Sequence, residues 1–142
     1  MASTSWSTAG GAGPDADDDL DLDLDDLDRF DAVQRTDVRG TFLVARQAAR
    51  RLRDGGAIVN LSGAAPPRPP DLAHAASRSA VEAMTRALAH GLRGRDITVN
   101  AVTPQAEGPA VVEAMAHVVL LLVGADGRGL DGQIIRIDAG AG

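Results

Sequence analysis

The residues free to do chemistry form a short set. The 142-residue chain has no cysteine and no tyrosine, and three histidines. Without cysteine there is no disulfide framework and no thiolate for metal or redox work, which fits a reducing cytosol. Imidazoles, carboxylates and hydroxyls remain. His90 and His117 lie 27 positions apart with no ligand spacing, so no metal site is expected. The carboxylates concentrate between Asp15 and Asp31, which hold ten of the twenty acids. Within that run D-L-D-L-D-D sets carboxylates at alternate positions, as a calcium loop does, but the glycine at loop position six and the closing glutamate at position twelve are missing. The run therefore reads as a solvated leader. Gly10-Gly11-Ala12-Gly13 neither follows an expected strand nor opens a helix, so it is not read as a phosphate loop.

Charge and composition narrow the partners. The net charge is −6, yet from Ala32 onward 13 arginines face ten acids, scattered rather than striped. With one tryptophan and two phenylalanines to stack on bases, nucleic acid is not expected as a partner. The longest apolar run, 118–123, is far short of the roughly 20 residues of a membrane span. Residues 1–13 lack the basic start and apolar stretch of a signal peptide, so a soluble, cytoplasmic protein with no membrane partner is expected. Residues 1–26 read as a flexible Ser/Gly and Asp-rich leader, and 27–142 as one domain with a modest core.

The elements that must position any site follow from periodicity. Val33, Val38, Phe42, Ala45, Ala49 and Leu52 recur mostly at helical spacing and predict a helix over 27–53, with Asp at its start and Arg50, Arg51 and Arg53 at its end to suit the dipole. Asp54-Gly55-Gly56 stops it, and 57–61 reads as a short strand buried on both faces. Pro66 to Pro70 makes a rigid loop. A second helix is predicted over 73–92, with Ala80, Val81, Met84, Leu88 and Leu92 on its apolar face; then come a strand at 97–102, a helix at 111–123 that is apolar almost all round, and a strand at 133–138. Helices alternating with strands imply an α/β architecture, a parallel sheet of about three strands covered by helices.

In order, FDAVQRTDVRGTFLVARQA, GGAIVNLS, AHAASRSAVEAMTRALAHGL, ITVNAVTP and GQIIRIDAG resemble the C-terminal half of the short-chain dehydrogenase/reductase family, in particular its acyl-carrier-protein ketoreductase-like members. The resemblance implies a partial Rossmann-like sheet. Ser7-Thr8-Ala9-Gly10 stands where that family has an N-N-A-G turn. The family's first half, whose glycine-rich turn holds the dinucleotide pyrophosphate, has no counterpart here, so no cofactor is expected. On the same alignment the family's catalytic tyrosine falls on His74 and its lysine on Arg78, turning Y-x-x-x-K into H-x-x-x-R. Its asparagine falls on Asp37. Its Ser-Ser pair reads Ser62-Gly63, leaving Ser62 one position out of register, and its Pro-Gly turn reads Pro104-Gln105. His74, Arg78, Asp37 and Ser62 are thus the candidate catalytic residues, with the first three expected to converge at the C-terminal end of the Asn60 strand.

Three functions follow from the resemblance. The preferred expectation is a non-redox auxiliary subunit acting through its long helices, as a homo-oligomer or bound to a full-length reductase-like chain, with Val81 and Met84 on the seam. The second is a cofactor-independent biosynthetic enzyme, a cyclase, isomerase or dehydratase, taking a small-molecule substrate. In it His74 is general acid/base and Asp37 or Arg78 its neighbour, since a carboxylate orients an imidazole's proton. The third is an NADP-dependent reductase completed by another chain. An arginine at position 78 stays charged and can hold an oxyanion, but it cannot store a proton as lysine can.

Overall fold

The computed structural model describes residues 26–63 and 71–138. The expected leader before Asp26, its glycine cluster and the loop at 66–70 lie outside the described residues. Three strands, β1 (Ala57–Leu61), β2 (Thr98–Pro104) and β3 (Ile134–Ile137), form one sheet in the order β1-β2-β3, parallel throughout. Leu61 lies beside Val102, and Pro104 beside Ile137, so the strands finish at a common C-terminal end. The expected α/β class and partial Rossmann-like sheet are what the chain adopts.

Burial of β2 organises the rest. All seven of its residues are buried. Successive side chains of a strand point to opposite faces, so both faces need cover. On β1, Val59 packs into the cluster of α4 (Pro109–Val123), while Asn60 donates from Nδ2 to Thr85 Oγ1 of α3 (Leu72–Leu92) at 2.9 Å. The two helices therefore cover opposite faces. Val102, Val111, Leu122 and Ile137 form the buried core on the α4 side. β2 runs two residues beyond its predicted end because Thr103 and Pro104 still pair with Arg136 and Ile137. Inside, the Asn100 amide donates to the Leu130 carbonyl and accepts from the Gln133 N–H, whereas the buried Thr98 hydroxyl has no hydrogen-bond partner.

The helix predicted over 27–53 has three parts: α1 (Leu27–Val33), a wider π-type segment Gln34–Arg39, and α2 (Gly40–Arg51). In the segment Gly40 N–H reaches back five residues to the Arg35 carbonyl. Such single-turn widenings recur at functional sites. Here the widened turn is itself tied to α3 twice, by Gln34 Nε2 on the Ala73 carbonyl at 3.0 Å and by Ser77 Oγ on Asp37 Oδ2 at 3.0 Å. At the far end Arg95 donates to the Ala49 and Leu52 carbonyls and to Asp54, satisfying the open carbonyls of α2. Gly127 is required by a close approach, since a Cβ there would lie 2.4 Å from the Leu121 carbonyl oxygen.

Helix α4, apolar almost all round as its sequence reads, buries Val111 and Leu122 and exposes Val112, Leu120, Leu121 and Val123. One expectation of surface changes. Val81, expected on the subunit seam, is buried at 2% exposure, and its carbonyl accepts from Thr85, so it belongs to the core and not to an outer face. Among the described residues no helix is long and apolar enough to cross a membrane.

Leu122 is 1% exposed and is one of the four buried residues of the core cluster. Leu122→Ala should lower unfolding free energy by about 2–5 kcal/mol, the usual range for a buried leucine leaving a cavity. Urea denaturation with an unchanged m-value checks it.

Candidate active site

At the C-terminal end of the sheet, the first turns of α3 meet the end of β1 and the π-type segment. A helix starts here because Asp71 supplies an N-cap: its Oδ1 accepts from Ala73 N–H at 2.9 Å and from His74 N–H at 3.4 Å. The other oxygen, Oδ2, takes His74 Nδ1 at 2.9 Å and the Arg29 guanidinium from α1. One carboxylate thus caps α3, orients an imidazole and anchors α1. Asp71 is 8% exposed on its side chain, whereas His74 remains 40% exposed. Burial alone would raise the Asp71 pKa. The hydrogen bonds from the His74 side chain and N–H, from Arg29 and from Ala73 N–H outweigh it and hold the carboxyl at about 2, below its usual 3.8.

One helical turn on, Ser77 and Arg78 line a cleft of about 200 Å³ with Thr36, Asp37, Thr41 and Gly63. Asp37 accepts from Ser77 rather than approaching His74, so the expected Asp37–His74 partnership is replaced by Asp71–His74. Ser62 is fully buried, with its hydroxyl bonded to that of Thr103, and its N–H bonded to the Val102 carbonyl. It extends the sheet's hydrogen bonding and presents no hydroxyl to the cleft. Asp37 and Arg78 are therefore brought together, His74 sits a turn away, and Ser62 is withdrawn. Sequence reading missed Asp71 and Arg29. Asp71 carried a signal, an aspartate directly before an apolar-periodic segment, which marks an N-cap. The 42-residue separation of Arg29 from Asp71 carried none.

The cleft is smaller than the roughly 300–1,000 Å³ of a complete small-molecule site. Its hydroxyl, carboxylate and guanidinium suit a sugar or a carbonyl oxygen. A pyrophosphate fits less well. The connection from β2 into α4 is 105–108, where the lone Gly108 follows Glu107, and a carboxylate there opposes an anion at that helix start. Among the described residues the donors fit the nicotinamide-ribose end of a dinucleotide and not its phosphates. No cluster that could hold a metal occurs among them.

A single-sheet α/β fold with polar groups gathered at the strands' C-terminal ends is the arrangement in which open sheets bind ligands. Residues 7–109 match a family model described as enoyl-(acyl carrier protein) reductase, a match that reaches back into the expected leader. A short-chain type dehydrogenase/reductase of Picea abies is 33% identical over 141 residues, covering 80% of this chain and 52% of that protein. An NADPH-dependent aldehyde reductase 2 of Arabidopsis thaliana is 37% identical over 91 residues, covering 61% of this chain and 32% of that one. The short-chain dehydrogenase/reductase structure from Serratia marcescens superposes with a TM-score of 0.69 at 32% identity, over 80% of this chain and 56% of that one. The chain belongs to the short-chain dehydrogenase/reductase family. It covers about half of the first of these curated relatives and about a third of the second. These relatives are reductases, which overturns the expectation of a non-redox auxiliary subunit and with it the cofactor-independent cyclase, isomerase or dehydratase.

The depressed Asp71 pKa fixes a pH dependence. A carboxyl held below its unfolded value stabilises the fold fully above that value, and the contribution disappears as pH falls through the folded one. The stability advantage of the native chain over Asp71→Asn should therefore shrink as pH falls between about pH 4 and 2. Urea midpoints of both proteins across that range check it.

Proposed function

We propose that this chain forms the catalytic end of an NADP(H)-dependent carbonyl reductase, converting an aldehyde or ketone to an alcohol. The observation that carries the reading is His74 and Arg78 on the opening turns of α3, at the C-terminal end of a sheet shared with reductases, beside a small polar cleft. Similarity to an NADPH-dependent aldehyde reductase supports the cofactor and substrate class. Among the described residues none is assigned to the phosphates of the dinucleotide.

Arg78 would hold the ribose of the nicotinamide nucleotide, which when bound supplies the hydride for the carbonyl carbon. His74, protonated on both ring nitrogens, would give its Nε2 proton to the carbonyl oxygen as negative charge builds there and be left neutral with its remaining proton on Nδ1, the work that general acids do. Its Nδ1 is engaged by Asp71, so Nε2 faces the substrate. The fixed positive charge of Arg78 stabilises the developing alkoxide and does not compete for its proton. Asp37, through Ser77, holds the π-type turn against α3 and so keeps the cleft's two walls in register.

The test is NADPH consumption by the purified protein with a panel of aldehydes and aromatic ketones. Carbonyl-dependent consumption is expected, with kcat lowered about 10²–10⁴-fold in His74→Ala and an unchanged circular dichroism spectrum. Absence of carbonyl-dependent consumption, together with no NADPH binding by calorimetry, would overturn the reading.

A second copy of the chain is proposed to seat on the groove between α2 and α3, about 440 Å³ and lined by Phe42, Ala45, Met84, Leu88 and Leu92. An exposed apolar surface of this kind favours association. Met84→Asp is expected to shift light scattering from a dimer to a folded monomer. An unchanged mass would remove the groove from the interface.

A further inference from the structure

We infer that Asp71, anchored by Arg29, is a positioning residue that fixes the tautomer of His74 and makes Nε2 the proton-transfer atom. The inference deepens the reductase reading and rests on it for its kinetic part alone. Where the family pattern has a phenol, this chain has an imidazole, and the exchange creates a problem that a phenol does not have. A phenol carries one oxygen that both holds and gives the proton. A neutral imidazole carries its proton on either nitrogen, and the choice decides whether the substrate-facing nitrogen of the neutral ring is a donor or an acceptor.

The geometry removes that ambiguity. Asp71 Oδ2 lies 2.9 Å from His74 Nδ1, and the Arg29 guanidinium pairs with the same oxygen. A carboxylate held ionised by an arginine can only accept hydrogen bonds, so Nδ1 must donate. Nε2 is then the nitrogen that gains and loses the proton. When it is protonated, the carboxylate also stabilises the resulting imidazolium, as a buried aspartate does for an imidazole in serine proteases. The charged groups around His74 complete the picture: Arg29 and Asp71 lie on its Nδ1 side, Arg78 follows one turn along α3, and Asp37 is occupied by Ser77. Because Oδ1 of Asp71 caps α3 while Oδ2 orients the ring, the imidazole's position is locked to the helix start itself.

Asp71→Asn separates the two jobs, since asparagine caps a helix as well as aspartate but carries no charge. Heteronuclear NMR of the imidazole nitrogens, with His74 assigned by its loss in His74→Ala, reads the tautomer directly. In the native protein the neutral ring of His74 should be protonated at Nδ1. In Asp71→Asn it should revert to a mixture rich in the Nε2–H form, with kcat for carbonyl reduction falling at least about tenfold and KM little changed. Arg29→Gln should keep the native tautomer and give a smaller fall in kcat. If the His74 signals of Asp71→Asn match those of the native protein, the positioning role is overturned, whatever happens to activity. If the native tautomer depends on Asp71 but kcat does not, while His74→Ala is inactive, the role is overturned and the reductase reading stands. If the tautomer responds but no carbonyl is reduced by the native chain, the dyad stands and the reductase reading falls.

Discussion

Complete desolvation of β2 is the constraint from which the architecture follows. A strand with all seven residues buried must find hydrogen-bond partners on both edges and apolar cover on both faces. β1 and β3 supply the edges in parallel register, and parallel pairing obliges the chain to cross over by helix each time. Thus α3 and α4 are placed on opposite faces by the same requirement. Because all strands run one way, their ends coincide, and α3 must begin at the end where β1, β2 and β3 finish. His74 and Arg78 stand there for that reason.

Local electrostatics then finishes what packing begins. The start of α3 leaves N–H groups without intrahelical partners, and Asp71 answers two of them with one oxygen. Its second oxygen gathers Arg29 and His74, so an interaction needed to start a helix also joins α1 to α3 and directs a ring. The π-type turn works alongside it. Gln34 and Asp37 both bind α3 from that turn, which a regular helix would present at a different angle.

Replacing a phenol and lysine pair by imidazole and guanidinium changes how the site must be built. A guanidinium is charged throughout the working range and supplies electrostatic stabilisation without proton exchange. Proton movement then falls to the imidazole alone, and control of its tautomer becomes a structural requirement. The Asp71 carboxylate, held near a pKa of 2, meets that requirement at any pH where a reductase would work.

Much of the fold was legible in the chain. The bounds of β1 matched those expected from its apolar run, and α3 began one residue before its predicted start. Burial patterns of this kind are local and repeat with the period of the element, so periodicity reads them. The π-type turn left one trace, the five-residue step from Val33 to Val38 in an otherwise three- and four-residue pattern. The resemblance, not periodicity, put His74, Arg78 and Asp37 at one end of the sheet, and the fold sets all three there, with Asp37 turned to Ser77. What tertiary structure alone decided was partnership. Asp71 rather than Asp37 meets His74, Ser62 turns inward to Thr103, and Arg29 crosses from α1. A side chain's partner depends on where two distant backbones approach and which face each presents, and neither is written in the spacing of residues along one of them.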